Sequence, residues 1–182
     1  MNNDTKNDLE SRIHIYCGDG KGKTSAAIGL AVRAAGRGKK VLFARFLKND
    51  DSGEVETLSR IPGICLKPCR KSFGFFYQMT KEQRQEAKEY YKRLFHDVWE
   101  EAVENGFDIL VLDEIMAACR YGLVPEEDVT GCLKSRPGTL EVVMTGREPS
   151  HKMMDLADYV SEIRKIKHPF DKGIGARKGI EY

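Results

Sequence analysis

The sequence lacks an apolar stretch long enough to cross a membrane, and its start is polar through Arg12 with no signal-peptide pattern. A cytoplasmic, reducing setting without a membrane partner is therefore expected. It also lacks an excess of charge of one sign. Thirty basic against 28 acidic side chains leave +2, which supplies no bulk field for nucleic acid. Five cysteines form an odd count, and Cys65 and Cys69 have no second pair downstream to complete a zinc site, so they read as ordinary thiols. His14, His96, His151 and His168 are scattered without the spacing of metal ligands or of a nucleophile's base. Internal repeats and low-complexity segments are missing as well.

What remains is a chain of 182 residues, 41% hydrophobic, enough for one domain with a substantial core and too little for two. Residues 1–11 are polar and read as a flexible N-terminal segment, residues 12–182 as a single domain. Ile13 to Tyr16, Val41 to Leu47, Ile109 to Leu112 and Val142 to Met144 are short apolar runs of strand type, suited to burial on both faces. Helical patterns alternate with them. Thr24 to Ala35 is closed by Gly36 and Gly38. Lys81 to Asn105 opens on a capping box, Thr80 with Gln83, and stops at Gly106. Its Ala87, Tyr91, Leu94, Val98 and Ala102 form one apolar stripe. Pro125 to Lys134 and Ser150 to Ala157 read as shorter helices. This alternation predicts an α/β fold with a mostly parallel sheet and helices on both faces, its ligands gathering at the C-terminal strand ends.

Between the first strand and the first helix stands Cys17-Gly18-Asp19-Gly20-Lys21-Gly22-Lys23-Thr24-Ser25, a phosphate-binding loop of the nucleoside-triphosphatase type. Its glycines let backbone N–H groups turn toward a polyphosphate, Lys23 supplies charge, and the Thr24 hydroxyl suits Mg²⁺. Cys17 occupies the position where the first consensus glycine would stand. Ile109 to Leu112 runs into Asp113 and Glu114, and a strand adjacent to the loop's own strand would bring one of these acids to the metal beside Thr24. The spacing leaves open which acid touches it. A third strand end, Thr145-Gly146-Arg147, carries a cation that either reaches a triphosphate oxygen or lies exposed in a turn. Phe73, Phe75, Phe76 and Tyr77 either fold into the core or offer a flat wall to a large planar ligand. No residue identifies itself as a base or water-orienting group for phosphoryl transfer.

Taken together these residues resemble the bacterial ATP:corrinoid adenosyltransferases of the phosphate-loop type, nearly end to end. The likeness rests on Gly18 to Thr24, Arg33-Ala34-x-Gly36-x-Gly38-Lys39, Phe46-x-Lys48, Gly53-Glu54, Val111 to Glu114, Arg136-Pro137-Gly138 and Thr145 to Arg147. It extends to the tail, Lys167-His168-x-Phe170-Asp171-x-Gly173 and Gly179-Ile180. The resemblance implies that the 5′-deoxyadenosyl group of ATP passes to the cobalt of a cob(I) corrinoid with release of triphosphate, in adenosylcobalamin synthesis or salvage. A small-molecule kinase and a non-catalytic corrinoid or nucleotide carrier are the competing classes. By the same resemblance, Gly18 to Ser25 cradle the triphosphate and Lys23 and Arg147 neutralise the leaving group. Thr24 with Glu114 hold Mg²⁺, with Asp113 in reserve. Phe75 and Tyr77 face the corrin, Tyr77 standing where the family has tryptophan. A homodimer and a flavoprotein reductase are the partners it implies, and residues 1–11 are short beside the segment that caps the family's site.

Overall fold

The computed structural model describes residues 11–181. Six strands form one sheet in the order β3-β2-β4-β5-β1-β6, every neighbouring pair parallel. They are β1 (Ile13–Cys17), β2 (Val41–Arg45), β3 (Ile64–Leu66), β4 (Ile109–Asp113), β5 (Glu141–Thr145) and β6 (Tyr159–Glu162). Between them lie α1 (Lys23–Ala35), α2 (Gly53–Ser59), α3 (Lys81–Glu104), α4 (Ile115–Arg120), α5 (Glu126–Lys134) and α6 (His151–Leu156). The flexible segment expected at residues 1–11 lies, for residues 1–10, outside the described residues. Ser11 itself is buried. Its N–H donates to the Gly138 carbonyl, and its hydroxyl and carbonyl accept from the Arg136 guanidinium.

Alternation along the central strands builds two cores. Val41, Phe43, Ile109, Val111 and Val143 face Ala27 and Ala31 of α1. Leu42, Ala44, Leu110, Leu112, Val142 and Met144 turn to the other side and pack with Ala87, Tyr91, Phe95, Val98 and Ala102 of α3. A strand covered on both faces has no need of a polar side, which is why β2 and β4 are buried at all five positions. The α3 stripe runs through Phe95 in steps of four and three, with Leu94 at its margin. At its N-terminus Gln83 N–H donates to Thr80 Oγ1 at 3.2 Å and Thr80 N–H to Gln83 Oε1 at 2.9 Å, satisfying two donors the helix leaves over.

The structure also holds elements the sequence reading passed over. β3 has three residues, β6 is an exposed edge strand, and α2 and α4 are short. The expected second strand ends at Arg45, because Leu47 takes a left-handed conformation with φ 57°. One topological expectation is corrected. β4 is not adjacent to β1, since β5 lies between them.

Candidate nucleotide and corrinoid site

The phosphate loop leaves β1 at Cys17 and enters α1 at Lys23, with Gly22 at the N-cap in a conformation of φ 122°. It is clamped from behind by the chain leaving β6. Ile163 N–H donates to Cys17 O and Gly20 N–H to Ile163 O, both at 2.8 Å, and Lys165 N–H donates to Asp19 Oδ1 at 2.9 Å. That last bond holds the Asp19 carboxyl below its usual range. Backbone passes so close to backbone that a Cβ on Gly20 would sit 2.8 Å from the Arg164 carbonyl carbon. Glycine is required here by contact within the protein, independently of any phosphate.

Three strand ends converge beside the loop. Asp113, at the end of β4, is fully buried, a costly place for a carboxylate unless every lone pair finds a donor. Its Oδ1 accepts from Thr24 Oγ1 at 2.9 Å and from Thr145 Oγ1, at the end of β5, at 2.6 Å. Its Oδ2 accepts from Lys48 Nζ at 2.6 Å, and the same ammonium donates to Thr24 Oγ1 at 2.9 Å. Thr145, at the end of the intervening strand, thus shares one carboxylate oxygen of Asp113 with Thr24, which reaches it directly across β5. Its hydroxyl also accepts from the Glu114 N–H at 2.9 Å, pinning Glu114 at a left-handed φ of 62°.

Glu114 lines the cleft. Burial, and then the neighbouring Asp113, push its carboxyl above the ordinary carboxylate value, against the pull of Lys48, Lys23 and Arg147. Burial lowers the Lys23 ammonium, opposed by Glu114 and reinforced by Arg147. Lys23 is itself buried, with Nζ donating to Gly20 O at 2.8 Å. Arg147 therefore lies within electrostatic reach of Lys23 and Glu114.

The cleft, of about 670 Å³, is lined by Lys21 to Ser25, by Leu47 to Asn49, by Glu114 and by Phe75. Its size is that of a small-molecule site. The four aromatics divide between the two expectations for them. Phe73 packs inward against Tyr90 and Tyr91, and Phe76 lies flat on Tyr121 with centroids 4.5 Å apart and planes at 4°. Phe75 and Tyr77 point outward, 75% and 76% exposed. Tyr77 meets Tyr121 edge-on at 5.7 Å. Phe75 lines the cleft, whereas Asp19, Arg147 and Tyr77 stand outside its lining.

The model of the family described as ATP:corrinoid adenosyltransferase BtuR/CobO/CobP matches residues 10–182. The chain belongs to this family. It is 34% identical to the corrinoid adenosyltransferase of Escherichia coli over 174 residues, 93% of this chain and 85% of that protein. To the corrinoid adenosyltransferase CobA of Salmonella typhimurium it is 35% identical over 175 residues, again 93% and 85% of the two chains. Among solved structures it is similar to EssC (ATPases 2 and 3) from Geobacillus thermodenitrificans, with a TM-score of 0.50 and 12% identity. That match covers 94% of this chain and 36% of the other and concerns the fold alone.

In this ATP:corrinoid adenosyltransferase family member, the tail reaches the same cleft as the phosphate loop. Gly179, Ile180 and Glu181 line the cleft, and Glu181 Oε1 pairs with Lys21 Nζ of the loop at 3.0 Å. Bonds from Arg177 and Lys21 draw the Glu181 carboxyl down to about 2. Lys48 and Thr145 also belong to the site, although sequence reasoning assigned them no role. The signal for Lys48 was its place in Phe46-x-Lys48, and for Thr145 its place at a strand end. Arg45, buried at the end of β2, pairs with Asp50 and donates to Asn49 O at 2.8 Å, shaping the loop that carries Lys48. Nothing in the local sequence distinguishes it from a surface arginine.

Proposed function

We propose that this chain transfers the 5′-deoxyadenosyl group of ATP to the cobalt of a reduced corrinoid and releases triphosphate intact. The observation that carries the reading is a single cleft joining the phosphate loop, Glu114 and the outward-facing Phe75 in a member of this family. The cob(I) centre is the nucleophile. Its electron pair forms the bond to C5′ while the C5′–O bond breaks and its pair leaves on the triphosphate oxygen. No proton is transferred, so no side-chain base is needed, and the protein's contribution is orientation and charge.

In this scheme the loop N–H groups, Lys21 and Lys23 hold the triphosphate, and Arg147 approaches it from the end of β5. Phe75, with Tyr77 braced on Tyr121, covers one face of the corrin and excludes water from it. The Thr24 hydroxyl and the Asp113 and Glu114 carboxylates are hard oxygen donors, and the first two already gather one cation, the Lys48 ammonium. They fit Mg²⁺, which when bound neutralises phosphate charge. A cytoplasmic setting, a homodimer and a flavoprotein reductase complete the proposal. Among the described residues no helix is long and apolar enough to cross a membrane, which accords with that setting.

The test is anaerobic incubation with chemically reduced cobalamin and ATP, followed by visible absorption. An ATP-dependent change to the spectrum of an alkylated corrinoid is expected. A spectrum that is indifferent to ATP would overturn the proposal.

A further inference from the structure

Asp113 poses a physical problem that the fold has to solve before any nucleotide arrives. A fully buried carboxylate without a positive partner is strongly unfavourable. Two hydroxyls supply donors but no charge. The charge comes from Lys48, whose ammonium bridges Asp113 Oδ2 and Thr24 Oγ1 at 2.6 and 2.9 Å. These are the atoms that the proposed function assigns to the divalent cation.

The backbone that carries Lys48 is well anchored. Phe46 N–H donates to Asp113 O at 2.9 Å, and Arg45 holds Asn49 O from the other side. The long side chain remains a quarter exposed and lines the cleft beside Lys21 and Lys23. Rotation about its own bonds therefore suffices to move the ammonium from the carboxylate into the cleft, with no rearrangement of the loop.

We infer that Lys48 is an exchangeable counter-ion. It neutralises Asp113 in the nucleotide-free protein, yields Thr24 and Asp113 to the divalent cation when the metal-triphosphate enters, and then binds the triphosphate as a further cation. The inference rests on the reading of Thr24, Asp113 and Glu114 as the metal site. It gives Asp113 a cationic partner in both states and makes metal loading and phosphate capture one exchange.

The test compares the wild-type protein with Lys48→Met and with Lys48→Gln, which keeps a donor for Asp113. Mn²⁺ binding is followed by electron paramagnetic resonance, with and without tripolyphosphate. Without tripolyphosphate both variants should bind Mn²⁺ about tenfold more tightly, because the competing ammonium is gone. With tripolyphosphate the order should reverse, the variants binding the Mn²⁺ complex about tenfold more weakly. A merely structural ion pair would weaken both. Equal affinities across the three proteins, or weakening in both conditions, would overturn the exchange and leave the metal site standing. Failure of Mn²⁺ to bind the wild-type protein even with tripolyphosphate would remove the metal reading, and this inference with it.

Discussion

Two residues at the cleft are held away from their ordinary protonation behaviour, and each gives a prediction. Burial raises the Glu114 carboxyl in the folded state, so the folded protein holds that proton more firmly than the unfolded chain does. As pH rises through the ordinary carboxylate value toward the raised one, the unfolded state ionises first and stability falls. Glu114→Gln removes this penalty. The ligand-free variant should melt a few degrees higher at neutral pH and lose that acid-range slope, while its Mg²⁺-dependent turnover falls. A lower Tm at neutral pH would contradict the assignment. Lys23 is the complementary case, an ammonium pushed down by burial, an effect partly offset by Glu114. Lys23→Ala should weaken ATP binding roughly 10- to 100-fold by calorimetry, the scale of one charge-assisted hydrogen bond.

At the scale of elements, the loop, the tail and the aromatic segment divide the work. Gly179 to Glu181 form one wall of the cleft yet contribute nothing to the sheet. Deletion of residues 179–182 should weaken ATP binding several-fold in titration and leave Tm unchanged; a large fall in Tm would make the tail a structural strap instead. The aromatic segment rests on Tyr121, which carries Phe76 flat and Tyr77 on edge. Tyr77→Ala should therefore spare the reaction with preformed cob(I)alamin and slow it when a mild reductant must act on bound cob(II)alamin. Equal rates in both regimes would remove Tyr77 from the mechanism. This segment also shows the limit of pattern reading. Inward Phe73 and Phe76 and outward Phe75 and Tyr77 are one run of similar rings, and Tyr90, Tyr91 and Tyr121, outside the run, are the rings that sort them.

For the whole molecule, legibility followed burial. β2, β4 and α3 stand out in the sequence because each is covered by a long apolar partner, whereas β6 is an exposed edge and β3 has three residues, so neither leaves a strong period. The phosphate loop and the acidic strand end were equally plain. Strand order was not. Placing β5 between β1 and β4 is a long-range outcome, and it puts Thr145 where its hydroxyl shares Asp113 Oδ1 with Thr24. Lys48 stands in the Phe46-x-Lys48 motif but carries no role there, because a lysine in a charged loop looks like any solvated lysine until the fold sets it on a buried carboxylate. All of these features serve one claim, that the cleft holds triphosphate as a leaving group instead of a phosphoryl donor. The most direct test is phosphorus NMR of the products formed anaerobically from ATP and cob(I)alamin. The account predicts intact tripolyphosphate in equal amount to adenosylated corrinoid; ADP with orthophosphate, or AMP with diphosphate, as the primary products would contradict it.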